Sequence, residues 1–286
     1  MKLVTWNIQW CRGCDGHVDP QRIVEHAKRA ADFDVLCVQE VAANFPSLPG
    51  SHGENQFEEI ARWLPDYTPI PCPAVDALAP DGSRRAFGNM ILSRYPVLQV
   101  LRHQLPWPGD PSPTRSMPRV LIEATLDAPG GPVRVMTTHL EYYSALQRAS
   151  QVEAIRAHHA EACQCDRTGG ARDRSDGTYR WFPRPRAAIL TGDFNIRPDD
   201  PLHARLQAPF VGARATPRLA DVWVKRHPEE PHPNTVGVHD RSQWPAHYCC
   251  DFVFATAGLA RKAQEVRVNS DTQASDHQPL FVNFRT

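Results

Sequence analysis

Short apolar segments recur along the whole chain, and a proline, a glycine or a polar side chain ends each of them. Segments of this kind that are rich in valine, isoleucine and other β-prone residues are typical of buried strands. The predicted strands cover residues 2–8, 34–39, 87–93, 97–103, 119–126, 133–139, 187–191, 251–255, 263–268 and 280–284. The sequence therefore predicts that β-strands form a large part of the fold.

Four segments between the strands have the character of helices, and they cover residues 20–31, 56–64, 144–162 and 218–225. The first begins with Pro20 behind Asp19, which is typical of a helix N-terminus. Because no linker or repeat divides the chain, we predict a single domain over residues 1–286, with a loop insertion at 163–186. Such long irregular segments, which also lie at 46–53, 65–83, 106–118 and 227–245, either shape a binding face or fill surface.

The charge balance argues against two classes of ligand. The 32 basic residues equal the 32 acidic ones, whereas proteins that coat duplex DNA or bind membranes through basic clusters carry an excess of positive charge.

No apolar run approaches the roughly 20 residues that span a bilayer, so we expect no transmembrane segment. The N-terminal residues lack a signal-peptide core, so we expect a cytoplasmic protein. Nothing in the sequence indicates an obligate protein partner.

Eight cysteines leave one alternative open. Without an export signal a disulfide framework is not expected. Cys11 and Cys14 have the spacing of zinc ligands, but no second pair with that spacing exists. A zinc or redox module built on these two residues is the weaker interpretation.

Polar residues that can carry chemistry stand at the ends of the predicted strands. Because strand ends meet at the edges of a packed sheet, these side chains are expected to lie close together. They are Asn7, Glu40, His139, Asp193, Asn195, Asp276 and His277. A single carboxylate in such a place is usually a cap or a turn residue, but a whole set indicates a site.

The residue types in this set favour phosphate chemistry. Carboxylate and amide oxygens are the ligands that Mg²⁺ or Mn²⁺ prefers over zinc. His277 can act as a general base if a carboxylate such as Asp251 orients its second nitrogen. His139 and Asn195 can donate hydrogen bonds to a phosphoryl oxygen. Together they describe metal-assisted attack of water on phosphorus.

The same residues lie in motifs whose order resembles the endonuclease/exonuclease/phosphatase family. The motifs are T-W-N-I-Q at 5–9, V-Q-E at 38–40, I-L-S-R-Y-P at 91–96, T-T-H-L at 137–140, T-G-D-F-N at 191–195, C-D-F-V-F at 250–254 and S-D-H-Q-P-L at 275–280. That family includes DNase I-like nucleases, abasic-site endonucleases, neutral sphingomyelinases and inositol polyphosphate 5-phosphatases. The resemblance implies a four-layer α/β/β/α sandwich, in which two mixed, mainly antiparallel sheets pack face to face with helices outside.

The resemblance also implies roles for individual residues. Glu40 would bind Mg²⁺ (or Mn²⁺), helped by Asn7 and Asp276. His277, oriented by Asp251, would activate water or contact the phosphate. Asp193 would position the nucleophile or the leaving oxygen. The phosphate would be bound by Asn195, His139 and Arg119. The motifs leave open whether His277 or Asp193 is the general base. Tyr142 either lines the substrate face or packs.

At two positions the sequence departs from the pattern of the abasic-site endonucleases of this family. Gln9 stands where abasic-site endonucleases tend to carry aspartate, and His139 stands where they often carry tyrosine. The segments 10–15 and 272–279 resemble a bacterial group of members without an assigned substrate. We therefore predict a metal-dependent hydrolase of phosphate esters, whose substrate is a nucleic acid, a lipid headgroup or a small molecule. The alternative is a phosphate-ligand or partner-binding module without turnover, but such a module would usually lack one of these residues, and none is missing.

Overall fold

A computed structural model describes residues 1–168, 172–211 and 216–285. Its strands are β1 (Lys2–Asn7), β2 (Val35–Ala43), β3 (Thr68–Leu78), β4 (Arg84–Ser93), β5 (Val97–Gln104), β6 (Val120–Ala128), β7 (Gly131–His139), β8 (Ala188–Asp193), β9 (Leu219–Asp221), β10 (Asp251–Thr256), β11 (Ala263–Val268) and β12 (Leu280–Phe284). Its α-helices are α1 (Pro20–Ala30), α2 (Gln56–Trp63), α3 (Ala145–Thr168), α4 (Pro201–Gln207), α5 (Val222–Arg226) and α6 (Ala257–Ala260). Each strand predicted from the sequence overlaps one of these strands.

The strands form two sheets of six. One has the order β11-β12-β1-β2-β4-β3, and the other has the order β5-β6-β7-β8-β10-β9. Among the described strands, only the β1–β2 and β7–β8 pairs are parallel, and the remaining pairs are antiparallel. Each sheet thus has a parallel pair at its centre, whose strands end at the same edge.

Three apolar layers hold the fold together. Between the sheets, Leu3 and Val35 of the first sheet share one cluster with Ile122 and Ile189 of the second. The outer face of the first sheet packs on α1 and α2, and that of the second packs on α3 and α4. Burial of these faces on both sides of each sheet produces the predicted four-layer sandwich, so the predicted fold class is confirmed.

Helix α1 begins as the sequence predicts. Asp19 accepts a hydrogen bond from the backbone nitrogen of Arg22 at 3.0 Å, and Pro20 occupies the first turn. Proline suits this position because the first backbone N–H groups of a helix have no partner within the helix.

The prediction of a loop over residues 65–83 was wrong, because β3 occupies most of it. The segment carries Pro69, Pro71 and Pro73 at every second position, and prolines normally argue against a strand. In the structure β3 lies at the edge of its sheet, next to β4. Alternate residues of an edge strand direct their N–H groups away from the partner, so prolines there cost no ladder hydrogen bond.

The single helix predicted over residues 218–225 was also wrong, because this segment is divided between β9 and α5. Asp221 ends the strand, and its side chain accepts hydrogen bonds from the backbone nitrogens of Trp223 and Val224. Capping of this kind starts a new helix at that point. Helix α4 lies where no element was predicted.

Helix α3 extends to Thr168, past its predicted end at residue 162 and into the segment predicted as a loop insertion. Residues 169–171 of that segment lie outside the described residues, and residues 172–187 contain neither helix nor strand. Within the described ranges, no helix has the length and apolar character needed to cross a lipid bilayer.

Candidate active site

Three neighbouring strands of the second sheet present polar side chains at one edge. His139 ends β7, Asp193 ends β8 and Asp251 begins β10. In the strand register His139 and Asp251 are both paired with Asp193, one on either side. Gly192 allows this close packing: its φ is +137°, and a Cβ atom there would collide with the carbonyl oxygen of Thr138.

Asn7 joins this edge to the first sheet. It ends β1, and its Nδ2 donates hydrogen bonds to Glu40 Oε1 and to Asp193 Oδ2, both at 3.0 Å. Its Oδ1 accepts a hydrogen bond from the backbone nitrogen of Gln9 at 3.1 Å, which fixes the orientation of the amide. Asn7 therefore holds the two carboxylates together across the seam between the sheets.

Glu40 reaches the seam because of an irregularity in β2. The register with β4 shifts between Val38 and Val41, and Glu40 has a φ of +62°. A bulge of this kind turns a side chain out of the regular alternation of a strand, and bulges often lie beside active sites. Burial, together with the charges of Asp276 and Asp193, raises the pKa of Glu40 to about 7.

The loop before β12 adds Asp276 and His277. Trp6 Nε1 donates to the carbonyl oxygen of His277 at 2.9 Å, and Ser275 Oγ donates to the carbonyl oxygen of Asn7 at 2.8 Å. The loop is therefore anchored to β1 on both sides of Asp276.

His277 lies between two carboxylates. Its Nδ1 is 2.9 Å from Asp251 Oδ2, and its Nε2 is 3.7 Å from Asp193 Oδ2. Burial opposes protonation of the ring, but the charges of Asp251, Asp276 and Asp193 outweigh it and raise the pKa of His277 well above its ordinary value. Asp251 thus orients the ring so that its other nitrogen faces Asp193.

His139 has the opposite electrostatic environment. Burial and the charge of Arg119 lower its pKa to about 3. Asn195, with a φ of +51°, places its Nδ2 at 3.0 Å from His139 Nε2 and at 2.9 Å from the carbonyl oxygen of Leu140. His139 is therefore neutral, and Asn195 holds it in place. Asp193 Oδ1 in turn accepts the backbone N–H of Asn195 at 2.9 Å.

Arg119 is buried, and its guanidinium is only partly used. Its Nε donates to Glu141 Oε2 at 3.3 Å, while its Nη1 has no hydrogen-bond partner in the described part of the chain. A buried N–H without an acceptor is costly in free energy. The group is therefore available for an anion bound in front of it.

A cavity of about 610 Å³ opens in front of these groups. Of the residues predicted from the sequence, those that line it are Glu40, Arg119, His139, Tyr142, Asp193, Asn195, Asp276 and His277. The two other predicted residues, Asn7 and Asp251, are buried behind this wall and contact Glu40 and His277. The structure thus brings the whole predicted set to one place.

Several residues of the cavity were missed by the sequence analysis. Gln243 Nε2 and Trp244 Nε1 donate to Asp276 Oδ2 at 3.0 and 2.8 Å. Both lie in the long loop segment 227–245, where no local pattern marks them. Glu141 follows His139 by two positions, so its proximity to a motif could have indicated it.

The donor atoms at this edge fit a hard divalent cation. Glu40 and Asp276 supply carboxylate oxygens, which Mg²⁺ and Mn²⁺ prefer. The raised pKa of Glu40 is a further sign of fit, because burial and the neighbouring charges of Asp276 and Asp193 both disfavour its ionised form, which a cation would stabilise. Deeper in the wall, ligand atoms of Asp193, Asp251, His277 and Cys250 lie within 4.8 Å of one another.

Two other groups of possible ligands have a different character. Asp221 Oδ2 lies 2.8 Å from Nε2 of both His203 and His232, away from the cavity. Cys11 and Cys14 are free cysteines. Among the described residues, neither cysteine belongs to a cluster of three or more possible metal ligands. The geometry therefore does not favour the zinc interpretation of these two residues.

Comparisons with known proteins agree with this geometry. Residues 4–277 match the sequence model of the Endonuclease/Exonuclease/phosphatase family. The structure is similar to an endonuclease/exonuclease/phosphatase from Beutenbergia cavernae, at 26% identity and a TM-score of 0.61, over 99% of this chain and 70% of that chain. It is similar in fold to the mannosyl-6-phosphatase of Bacteroides thetaiotaomicron, at 16% identity and a TM-score of 0.67, over 100% of both chains. The human Nocturnin catalytic domain has 16% identity and a TM-score of 0.63, over 100% of this chain and 93% of that chain. No curated protein matches the sequence.

Proposed function

Because the chain belongs to the endonuclease/exonuclease/phosphatase family, we propose that it hydrolyses a phosphodiester or phosphomonoester with the help of Mg²⁺ or Mn²⁺. Members of this family are generally phosphoesterases that depend on a divalent metal. The observation that carries the proposal is the convergence of both sheets on Asp193, beside the buried Arg119, whose Nη1 has no hydrogen-bond partner among the described residues.

Arg119 and His139 bind the phosphate, and Asn195 positions His139. Arg119 Nη1 offers a charged donor from the wall of the cavity. Asn195 Nδ2 donates to Nε2 of the neutral His139 imidazole, so His139 Nδ1 offers a further donor without additional charge. Charge-assisted hydrogen bonds to a phosphoryl oxygen are the strongest of these contacts, so Arg119 contributes most to phosphate affinity.

Asp193 and His277 activate the attacking water as a pair. His277 Nε2 and Asp193 Oδ2 are 3.7 Å apart, so one water can contact both. Asp251 keeps the ring of His277 in the orientation that this requires. A pH–rate profile of each single variant identifies which member of the pair accepts the proton.

Glu40 and Asp276 hold the divalent cation, and Asn7 orients Glu40 through its 3.0 Å hydrogen bond. When bound, the cation supplies Lewis-acid polarisation of the phosphoryl oxygen and offsets the negative charge that develops there.

The test is hydrolysis of a substrate panel with Mg²⁺ or Mn²⁺. The panel contains a nitrophenyl diester, plasmid DNA, single-stranded oligonucleotides, sphingomyelin, inositol phosphates and simple phosphate monoesters. We expect Glu40→Gln and His277→Ala to lower the rate by at least 10²-fold, since each removes a group that acts on the reacting atoms. EDTA should abolish the activity, and Mg²⁺ or Mn²⁺ should restore it.

Matched variants control for nonspecific damage. Glu229→Gln and His52→Ala change the same residue types at exposed positions outside the cavity, so they should retain the parent rate. Equal rates for the parent and for both active-site variants would refute the assignment. A parent that turns over none of these esters would favour the binding-module alternative.

A further inference from the structure

Gln9, a residue of the cavity wall, carries an unused hydrogen-bond acceptor. The residue follows β1, its side chain lines the cavity, and it is only 2% exposed. Within the described residues, Oε1 of Gln9 has no hydrogen-bond partner. A buried polar oxygen without a donor costs about 1–3 kcal/mol, so this atom is expected to find its partner in a bound molecule.

The orientation of the Gln9 amide is fixed by a chain of hydrogen bonds that begins at a carboxylate. Asp276 accepts a hydrogen bond from Gln243 Nε2 at 3.0 Å, and Gln243 Oε1 accepts one from Gln9 Nε2 at 2.9 Å. Turning over either amide would place two oxygens against each other. The oxygen of Gln9 is therefore the free end of the chain.

The backbone also commits Gln9 to this position. Its N–H donates to Asn7 Oδ1 at 3.1 Å. Gln9, Trp10 and Cys11 have φ values of +45°, +42° and +62°, a left-handed conformation that is unfavourable for side chains other than glycine. The turn thus fixes the backbone of Gln9 and Trp10, both of which line the cavity.

The free oxygen of Gln9 favours a substrate that offers a hydrogen-bond donor. The oxygens of an ionised phosphate accept hydrogen bonds and cannot satisfy Gln9. The unused group of Arg119, by contrast, is a donor. The two unpartnered atoms therefore divide the cavity between a place for the phosphate and a place for an O–H or N–H group.

Aromatic residues line the same cavity as Gln9. Trp10, Tyr142 and Trp244 line the cavity, and the rings of Tyr142 and Trp244 meet edge to face with centroids 6.0 Å apart. Flat apolar faces bind the face of a sugar or a nucleobase by stacking. The arginines among the described lining residues are Arg115 and Arg119, and Arg119 also contacts Glu141. This balance suits a substrate with a single phosphate group.

We propose that Gln9 is a specificity residue, whose side-chain oxygen accepts a hydrogen bond from the organic part of the substrate, and that this part is an uncharged ring stacked on Tyr142, beside Trp244. The substrate class is therefore a sugar phosphate or a nucleotide, which share a ring that carries hydrogen-bond donors. The inference rests on the proposed phosphoesterase function.

The test compares esters that differ in one feature. Ribose 5-phosphate and adenosine 5′-monophosphate carry a ring with donors, phenyl phosphate carries a ring without donors, and glycerol 3-phosphate carries donors without a ring. The variant is Gln9→Met, which keeps the length of the side chain and removes the acceptor. Gln21→Met, at an exposed position of α1, is the matched control. Phosphate release with Mg²⁺ gives kcat/KM, and tryptophan fluorescence titrations in EDTA give Kd without turnover.

We expect Gln9→Met to lower kcat/KM and raise Kd about tenfold for an ester with a ring and donors, as for the loss of one hydrogen bond. For phenyl phosphate we expect a change of less than twofold. A loss with both ribose 5-phosphate and the nucleotide places the donor on the sugar, and a loss with the nucleotide alone places it on the base. Equal losses with phenyl phosphate would mean that Gln9 acts only through Gln243 on Asp276, which overturns the proposal. Unchanged values for every ester would also overturn it.

A second variant keeps the test decisive if Gln9→Met does not fold. Tyr142 is 42% exposed, so Tyr142→Leu should not disturb the core. Tyr142→Leu should lower kcat/KM and raise Kd about tenfold for the esters that carry a ring, relative to glycerol 3-phosphate, because stacking on an aromatic ring is lost. An equal effect on glycerol 3-phosphate would refute the aromatic contact. If the parent hydrolyses none of these monoesters, the diesters of the substrate panel decide the proposed function, while the fluorescence titrations still decide the role of Gln9.

Discussion

Glu123 on β6 is a buried carboxylate whose ionisation should govern the acid stability of the protein. It is 1% exposed and accepts hydrogen bonds from Arg184 Nε at 2.7 Å and Nη2 at 3.1 Å. Arg134 Nη1 lies at 3.5 Å and His103 Nε2 at 3.4 Å. Burial alone would raise the pKa of Glu123, but these donors and charges outweigh it and lower the pKa from 4.5 to about 2.

The direction of the pH dependence follows from this shift. In the unfolded chain the carboxyl group titrates near its ordinary value of 4.5, so the unfolded state takes up a proton before the folded state does. The stabilisation is therefore complete above that pH and is lost as the pH falls from 4.5 towards 2. A difference of this size corresponds to about 3 kcal/mol in the free energy of unfolding, at 1.36 kcal/mol for each pKa unit.

Urea denaturation of the parent and of Glu123→Gln at pH 7, 4.5 and 3 measures this contribution. At pH 7 the variant should be less stable by about 3 kcal/mol, since it leaves Arg134 buried without its counter-charge. The difference should shrink at pH 3, because the parent loses its own stabilisation there. Glu265→Gln removes an exposed ion pair with Arg267 and should change stability by less than about 1 kcal/mol. A constant gap from pH 7 to pH 3, or no gap at pH 7, would contradict the reasoning.

Two further predictions concern Arg119 and Gly192. Arg119→Met should lower kcat/KM for the phosphate ester by about 10- to 100-fold through the loss of a charged donor, and Arg119→Lys should recover part of it; parent-like kinetics of Arg119→Met would exclude contact with the phosphate. Gly192→Ala should lower the free energy of unfolding by at least about 2 kcal/mol, because φ is +137° and the new Cβ would collide with Thr138. Gly258→Ala, where nothing lies within 4 Å of the added Cβ, is its control, and equal melting temperatures for the two variants would count against the assigned backbone strain.

The sequence predicted the residues at the ends of central strands well, for a physical reason. Asn7, His139 and Asp193 each follow an apolar run whose burial on both sides is hard to mistake. Parallel strands of one sheet end at the same edge, so residues in these positions meet without any knowledge of the loops. The predicted convergence needed only the fold class.

Features that depend on tertiary position were harder to predict. The alternating prolines of β3 are compatible with a strand only at the edge of a sheet, and the local sequence does not state where the strand lies. From the sequence alone, Asp221 resembles an interior residue of a helix. In the structure its side chain caps the start of α5.

The hydrogen-bond chain from Asp276 through Gln243 to Gln9 was not predictable either, because it also depends on tertiary position. Gln243 and Trp244 lie in a long loop whose sequence has no periodicity. Only their contacts with Asp276 identify them as residues of the site. The sequence marks Gln9 as a departure from a family pattern, but the lack of a partner for its oxygen among the described residues is a property of the assembled hydrogen-bond chain.

The position of β1 between β2 and β12 sets the order in which the candidate site can form. Lys2 pairs with Asn283, so a nascent chain on the ribosome lacks one neighbour of its first strand until almost all of these residues have been translated. The loop that brings Asp276 and His277 to Asn7 arrives at the same late moment. Truncated translation products consequently lack the reactive centre, however well their earlier strands have collapsed.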